Sequence, residues 1–381
     1  MTGPQRHIPA LDGLRALAIL LVMARHGVRP FWSAEGLMPL GSWDAAIPLL
    51  NGWIGVDLFF GLSGFLIARH ILDRMEGGGF QLGDYLKRRA LRIAPAYVAA
   101  LLIAVLGVLP LYQVMPNQLG LRVGYHLLFL QDYLPADIVV AFWSLGVEEK
   151  FYLLAPLLVF AALKLSGCRR WAVLATLAAI PSLMRLATHL AEPEIAGYEA
   201  YFQIFRSPFH MTFDGMAAGM ICAFIVRQVA IPRRLARILF WLGALVILGL
   251  LAATPLLETP GVLAKVPLPA LLAAGTGAMI LGLVSSGGPL IFRAPVLASI
   301  ARLSYSLYLV HMMTIPLALV TAEQWVGAGL GGFLLFLPIY AGLSAGAAVL
   351  LHCLVERPFL PGRSTQRINL HFERKSISLN I

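Results

Sequence analysis

Charge is scarce in this sequence. Only 13% of its 381 residues are Asp, Glu, Lys or Arg, while 59% are hydrophobic; an ordinary soluble domain carries about twice that charged share. Cysteine is scarcer still. Cys168, Cys222 and Cys353 stand far apart, which excludes a disulfide framework and a clustered cysteine metal site. Internal repeats are lacking, and so is any stretch that reads as a soluble domain. The loop "RMEGGGFQLGDY" is flexible in composition, and the last twenty or so residues read as a polar, disorder-prone tail. The glycines of "GVDLFFGLSGFL" follow no strand and precede no Walker lysine, so they are not a phosphate-binding fingerprint.

Long apolar runs fill the rest. Ten are long enough to cross a bilayer, at 8–28, 48–72, 93–113, 138–164, 171–190, 206–228, 236–254, 267–286, 299–321 and 327–355. The first is not a cleaved signal peptide, because Asp12 and Arg15 precede its apolar centre and "ARHG" after it is a poor cleavage site. The expected fold is an all-α polytopic membrane protein, a bundle of about ten transmembrane helices. Residues 1–357 form its transmembrane domain and 358–381 its tail.

The net charge of +10 invites a nucleic-acid reading, and its distribution removes it. With the N-terminus in the cytosol, nearly every basic loop residue falls on the cytosolic side. These include Lys87 to Arg89, Arg92, Arg169, Arg170, Arg233, Arg234 and Arg357. Only Arg29, Arg122 and Lys265 fall opposite. That asymmetry is the positive-inside signal, and it places both termini in the cytosol.

The informative charges are those inside the runs, since each costs a few kcal/mol or more in hydrocarbon and marks a cavity, a partner or a pathway. Arg15 and His26 are eleven residues apart, roughly 16 Å along a helix and on one face of it. Imidazole suits proton transfer near neutral pH, and guanidinium suits phosphate or carboxylate. Alternatively, Arg15 snorkels or pairs with Asp12, and His26 caps the helix end. "AFWSLGVEEKFYLLAP" then brings Trp143, Glu148, Glu149, Lys150 and Tyr152 to the start of another run. One glutamate there is placed to orient a histidine, as in a triad, or else to pair with Lys150. "GWIGVDLFFGLSGFLIARHIL" adds Asp57 and Ser63, with Arg69 and His70 at its cytosolic end; its Gly55, Gly61 and Gly64 read as close-packing positions. "KRRALRIAPAY" sets Arg89 and Arg92 one turn apart on the cytosolic side, a pair suited to the phosphates of a soluble cosubstrate; alternatively they are only positive-inside residues, as Lys87 and Arg88 are. Arg206 with Asp214, and Tyr305 with His311, complete the set.

In order and spacing these stretches resemble the acyltransferase 3 family of integral-membrane acyltransferases. The resemblance runs from "ALDGLRALAILLVMARH" through "GVDLFFGLSGFLI", "RRALRIAPAY", "FWSLGVEEKFYLLAP" and "SYSLYLVH" to "VERP". It implies transfer of an acyl group, commonly acetyl from acetyl-CoA, to a hydroxyl of a cell-surface or secreted carbohydrate, at the bacterial inner membrane. It implies no bound cofactor and no nucleic acid; the partners are the lipid bilayer, the acyl-CoA and the carbohydrate acceptor. Its arginine–histidine motif falls on Arg15 and His26, its arginine pair on Arg89 and Arg92, and its paired acids on Glu148 and Glu149. His26 and the two glutamates are then the catalytic candidates. Arg15, Arg89, Arg92, Asp57, Arg69, Trp143, Tyr152, Arg206 and His311 are the candidates for binding acyl-CoA or acceptor. Many bacterial relatives carry an extracytoplasmic esterase-like domain after the core, and the expectation is action without it or with a separate partner. A proton-coupled transporter or flippase of a glycan precursor is the alternative, although no paired half-repeats support it.

Overall fold

A chain this apolar must satisfy its backbone N–H and C=O groups internally, and helices do that segment by segment. The computed structural model describes residues 7–33, 35–115, 117–195, 197–253, 261–327 and 329–360. Arg6 and the expected tail from 361 onward lie outside the described residues. The long helices are α1 (Pro9–Val28), α2 (Ile54–Glu76), α3 (Leu82–Val105), α4 (Leu119–Leu127), α5 (Trp143–Lys164) and α6 (Gly167–Ala191). They continue with α7 (Asp214–Gln228), α8 (Arg233–Ala252), α9 (Pro267–Ser286), α10 (Pro295–Val326) and α11 (Gly329–Leu351). Among the described residues the only sheet is the antiparallel pair Pro39–Leu40 with Trp43–Asp44.

Six helical segments are long and apolar enough to cross a membrane: Ile47–Glu76, Gly167–Ala191, Arg233–Ala252, Pro267–Ser286, Pro295–Val326 and Gly329–Phe359. The expected runs outside this set fall on helices that carry charge or are short. Helix α1 holds Asp12, Arg15 and Arg25, α3 holds Arg88, Arg89 and Arg92, and α5 holds Glu148, Glu149 and Lys150. Helix α7 has 15 residues, because the run expected over 206–228 is broken at its start. A π turn over Phe202–Arg206 and the extended backbone of Pro208 precede it. Elsewhere the bounds shift: the run 93–113 lies in a helix that starts at Leu82 and ends at Val105, just before Gly107 with its positive φ of 60°.

Helix α2 is the hub. It packs on α1, α5, α7 and α9, and 83% of its most apolar stretch is buried, against 17% for α6 on the periphery. Its glycines permit that. A Cβ on Gly55 would collide with the Ala18 carbonyl of α1, and one on Gly64 with the backbone of Met216 in α7. Small residues let helix backbones approach where no hydrophobic drive separates helix from lipid. Helix α10 packs on α11 and α1, and α8 lies on α9.

Candidate functional site

The central cavity is about 310 Å³ in volume and lies among α1, α2, α3, α5 and α10. Along α2 it is lined by Val56, Phe59, Ser63, Leu66 and His70, a stripe spaced by three or four residues that belongs to one helix face. From Val56 to His70 the stripe extends roughly 20 Å. The outer end is basic, with His70, Arg89 and the exposed Arg92; the inner end is made by Val56, Phe59, Leu145 and Tyr308.

Three guanidinium groups line this cavity: Arg15, Arg89 and Arg92. Among the described residues, none of the three has a carboxylate within ion-pairing distance, although Glu148 lines the same space. Glu148 is held instead by hydroxyl donors. Ser63 Oγ donates to it at 3.0 Å and Tyr152 OH at 2.7 Å. The Arg89 guanidinium lies over the rings of Tyr85 and Tyr152, 5.8 Å from each centroid, a cation–π arrangement that leaves its N–H groups free to donate. Tyr85 OH donates to the Tyr152 carbonyl at 3.1 Å, tying α3 to α5.

His26 is elsewhere. It stands about three turns further along α1 than Arg15, does not line the cavity, and touches neither glutamate. The glutamate contact expected from triad logic is not made, because Glu148 is level with Arg15 rather than with His26. The partner of His26 is His311: their nitrogens are 3.1 Å apart and their ring centroids 5.0 Å. His311 is fully buried, whereas His26 is partly exposed. Tyr308 connects the two places. It lines the inner end of the cavity, and its ring centroid is 5.7 Å from that of His311. Its hydroxyl is fixed by Ser144 and the Ala141 carbonyl, each at 2.6 Å.

The structure does not bring the other candidates into the cavity. Asp57 and Arg206 form a two-pronged ion pair at 2.8 and 2.7 Å, 4% and 2% exposed. The guanidinium is clamped between the indoles of Trp53 and Trp143 at 5.2 and 5.3 Å. Trp143 therefore serves Arg206, with Phe60 and Phe202 edge-on against it. Asp214 is bound by Arg185 at 2.7 Å in a second buried pair. Arg69 pairs with Asp73 at 3.8 Å on the next turn of α2. Glu149, about 100° round the helix from Glu148, does not line the cavity. Lys150 donates to Asp132 at 2.6 Å rather than to a glutamate.

Two residues of consequence escaped the sequence reading. Tyr308 could have been found, since it is three residues before His311 and so shares its helix face. Asp132 could not, because it lies in the loop after α4 and meets Lys150 only through tertiary packing. Burial pushes the Asp132 carboxyl upward, against the pull of the Lys150 ammonium.

The profile of the acyltransferase 3 family, described as an acyltransferase domain, matches residues 8–353. The chain is 29% identical over 375 residues to the acyltransferase MdmB of Streptomyces mycarofaciens, covering 92% of this chain and 91% of that protein. It is also 29% identical over 174 residues to the peptidoglycan O-acetyltransferase OatA of Listeria monocytogenes, and 27% identical over 175 residues to a putative O-acetyltransferase of Staphylococcus aureus. Each of those alignments covers 42% of this chain but only 25% and 26% of the respective relatives. No solved structure matches the chain.

Proposed function

Because the chain belongs to the acyltransferase 3 family, a family of membrane acyltransferases, we propose that it transfers an acetyl group from cytosolic acetyl-CoA to a hydroxyl of a cell-surface or secreted carbohydrate. One observation carries this reading: Arg15, Arg89 and Arg92 line one cavity without carboxylate ion-pair partners among the described residues. Three guanidinium groups share this space with one carboxylate, Glu148, that pairs directly with none of them; the surplus positive charge near hydrocarbon calls for an anion from outside, and guanidinium forks match phosphate oxygens. The phosphates of CoA dock at this basic mouth. The rest of the cavity takes the pantetheine arm, with the thioester end toward Tyr308. A volume of about 310 Å³ is at the lower end for small-molecule pockets. It suits an arm with a short acyl group and leaves the nucleotide outside.

His26 acts as the base. Its Nε2 takes the proton of the acceptor hydroxyl, the oxygen attacks the thioester carbonyl, and the C–S bond breaks. The proton on Nε2 then passes to the departing thiolate, giving CoA-SH and the acyl ester. Glu148, held by Ser63 and Tyr152, supplies negative charge that offsets part of the positive charge of the three arginines. In this reading ten helices cross a bacterial inner membrane with both termini in the cytosol. The acetyl assignment draws support from the O-acetyltransferase names of the Listeria and Staphylococcus relatives, and the carbohydrate assignment from the peptidoglycan named for the Listeria protein.

The test uses membrane vesicles and acetyl-labelled acetyl-CoA, comparing the native chain with an equally expressed His26→Ala. Label entering carbohydrate with the native chain and lost by a factor of about 10² or more in the variant is the expected result. Equal labelling in both would remove His26 from the chemistry. Glycan uptake without CoA release would favour the transporter reading.

A further inference from the structure

The hydrogen-bond pattern around the two histidines decides where their protons sit. His311 Nδ1 lies 2.8 Å from the Tyr308 carbonyl and 3.1 Å from the Leu307 carbonyl. Carbonyl oxygens only accept, so this nitrogen carries the proton, and in the neutral ring Nε2 is a bare acceptor. His26 Nδ1 faces that bare nitrogen at 3.1 Å and the Val22 carbonyl at 3.0 Å. Both neighbours accept, so His26 Nδ1 is the donor. The basic lone pair of His26 is thereby left on Nε2, which has no hydrogen-bond partner among the described residues.

We infer that His311 is a positioning residue for His26: it fixes the tautomer that leaves Nε2 basic, and it receives the hydrogen bond that strengthens when His26 becomes imidazolium. The inference rests on the reading of His26 as the base. His311 takes the orienting place that a carboxylate holds in a serine triad, but as a neutral group. A neutral acceptor suits this position, fully buried on α10, where an isolated carboxylate would be costly. The scaffold around it is rigid. Thr314 Oγ1 donates to the His311 carbonyl at 2.8 Å and lies 2.8 Å from Ser344 Oγ on α11. The Val22 carbonyl alone holds His26 within its own helix, but it cannot move with the ring or take up the developing charge as a second imidazole can.

The test compares His311→Gln with His311→Leu in the full-length protein in detergent, reading acetyl transfer and acetyl-CoA binding. A glutamine amide oxygen reaches the place of Nε2 and accepts from His26 Nδ1; leucine fills similar volume without an acceptor. The expected result is a fall in kcat of roughly 10² for the leucine variant, with KM for acetyl-CoA unchanged. The glutamine variant should return to within about tenfold of the native chain. Equal losses in both variants, or no loss in the leucine variant while His26→Ala is inactive, would overturn the positioning role alone. Full activity in His26→Ala would overturn the function reading and this inference with it. If the leucine variant fails to fold, the glutamine variant decides: a loss beyond 10² with intact acetyl-CoA binding would count against the role.

Discussion

Two sets of arginines lie within the helical bundle, and they are treated in opposite ways. Arg206 and Arg185 are answered by the chain itself: Asp57 and Asp214 meet them at 2.7 Å, and all four side chains are nearly or wholly buried. Arg15, Arg89 and Arg92 line a cavity with no carboxylate in ion-pairing reach among the described residues. The first arrangement neutralises charge in the interior, and the second leaves positive charge facing a cavity. A buried pair is an anchor between helices, here between α2 and the π turn and between α6 and α7. Cations left without a carboxylate partner around a cavity are the arrangement on which the proposed acyl-CoA site rests. The rarity of intramembrane charge flags both sets equally; only the partner separates them.

The contrast breaks most sharply at Arg206. Arg206→Leu leaves Asp57 buried without its counter-ion, which costs about 3–5 kcal/mol and shows as a lowered thermal midpoint in detergent. Replacing both partners by Leu and Met should recover most of that loss, since paired charge and apolar packing are near-equivalent in such sites. Arg89→Ala should do the reverse. Its thermal midpoint stays close to native, while KM for acetyl-CoA rises roughly tenfold to a hundredfold, the weight of a charge-assisted hydrogen bond. Ser63→Ala removes one of two hydroxyl donors to Glu148 and should cost about 0.5–1.5 kcal/mol, read as a small loss of both stability and rate. Arg74 is exposed at the end of α2; Arg74→Ala should change stability by no more than about 0.5 kcal/mol and leave acetyl transfer unaltered. If Arg74→Ala weakened acetyl-CoA as strongly as Arg89→Ala, the binding site would be a diffuse basic surface rather than the cavity.

The candidate site was partly legible in the sequence for a physical reason. Arg15, Arg89 and Arg92 stood out because they interrupt apolar runs or sit one turn apart at a run's edge, and helical period alone puts such residues on a face. Gly55 and Gly64 were readable as packing positions by the same logic, and the structure sets them against Ala18 and Met216. Partner identity was not readable. Asp57 and Arg206 are 149 residues apart in sequence, and nothing local distinguishes their pairing from two separate ligand contacts. Trp143 looked like part of a glutamate motif, yet it stacks on Arg206 because α5 and the π turn meet there. His26 looked like the client of a glutamate, yet α10 brings it His311.

By itself the sequence determined that this is a helical, apolar chain with its charges concentrated on a few faces, since composition and a 3.6-residue period need no tertiary information. Tertiary structure alone decided which charges cancel and which remain unpaired, because an ion pair forms where Oδ and Nη atoms come within about 4 Å, and that distance is set by how helices far apart in sequence pack. The same holds for the histidines. A tautomer depends on what each ring nitrogen faces, and His26 faces His311 only because α1 and α10 lie side by side.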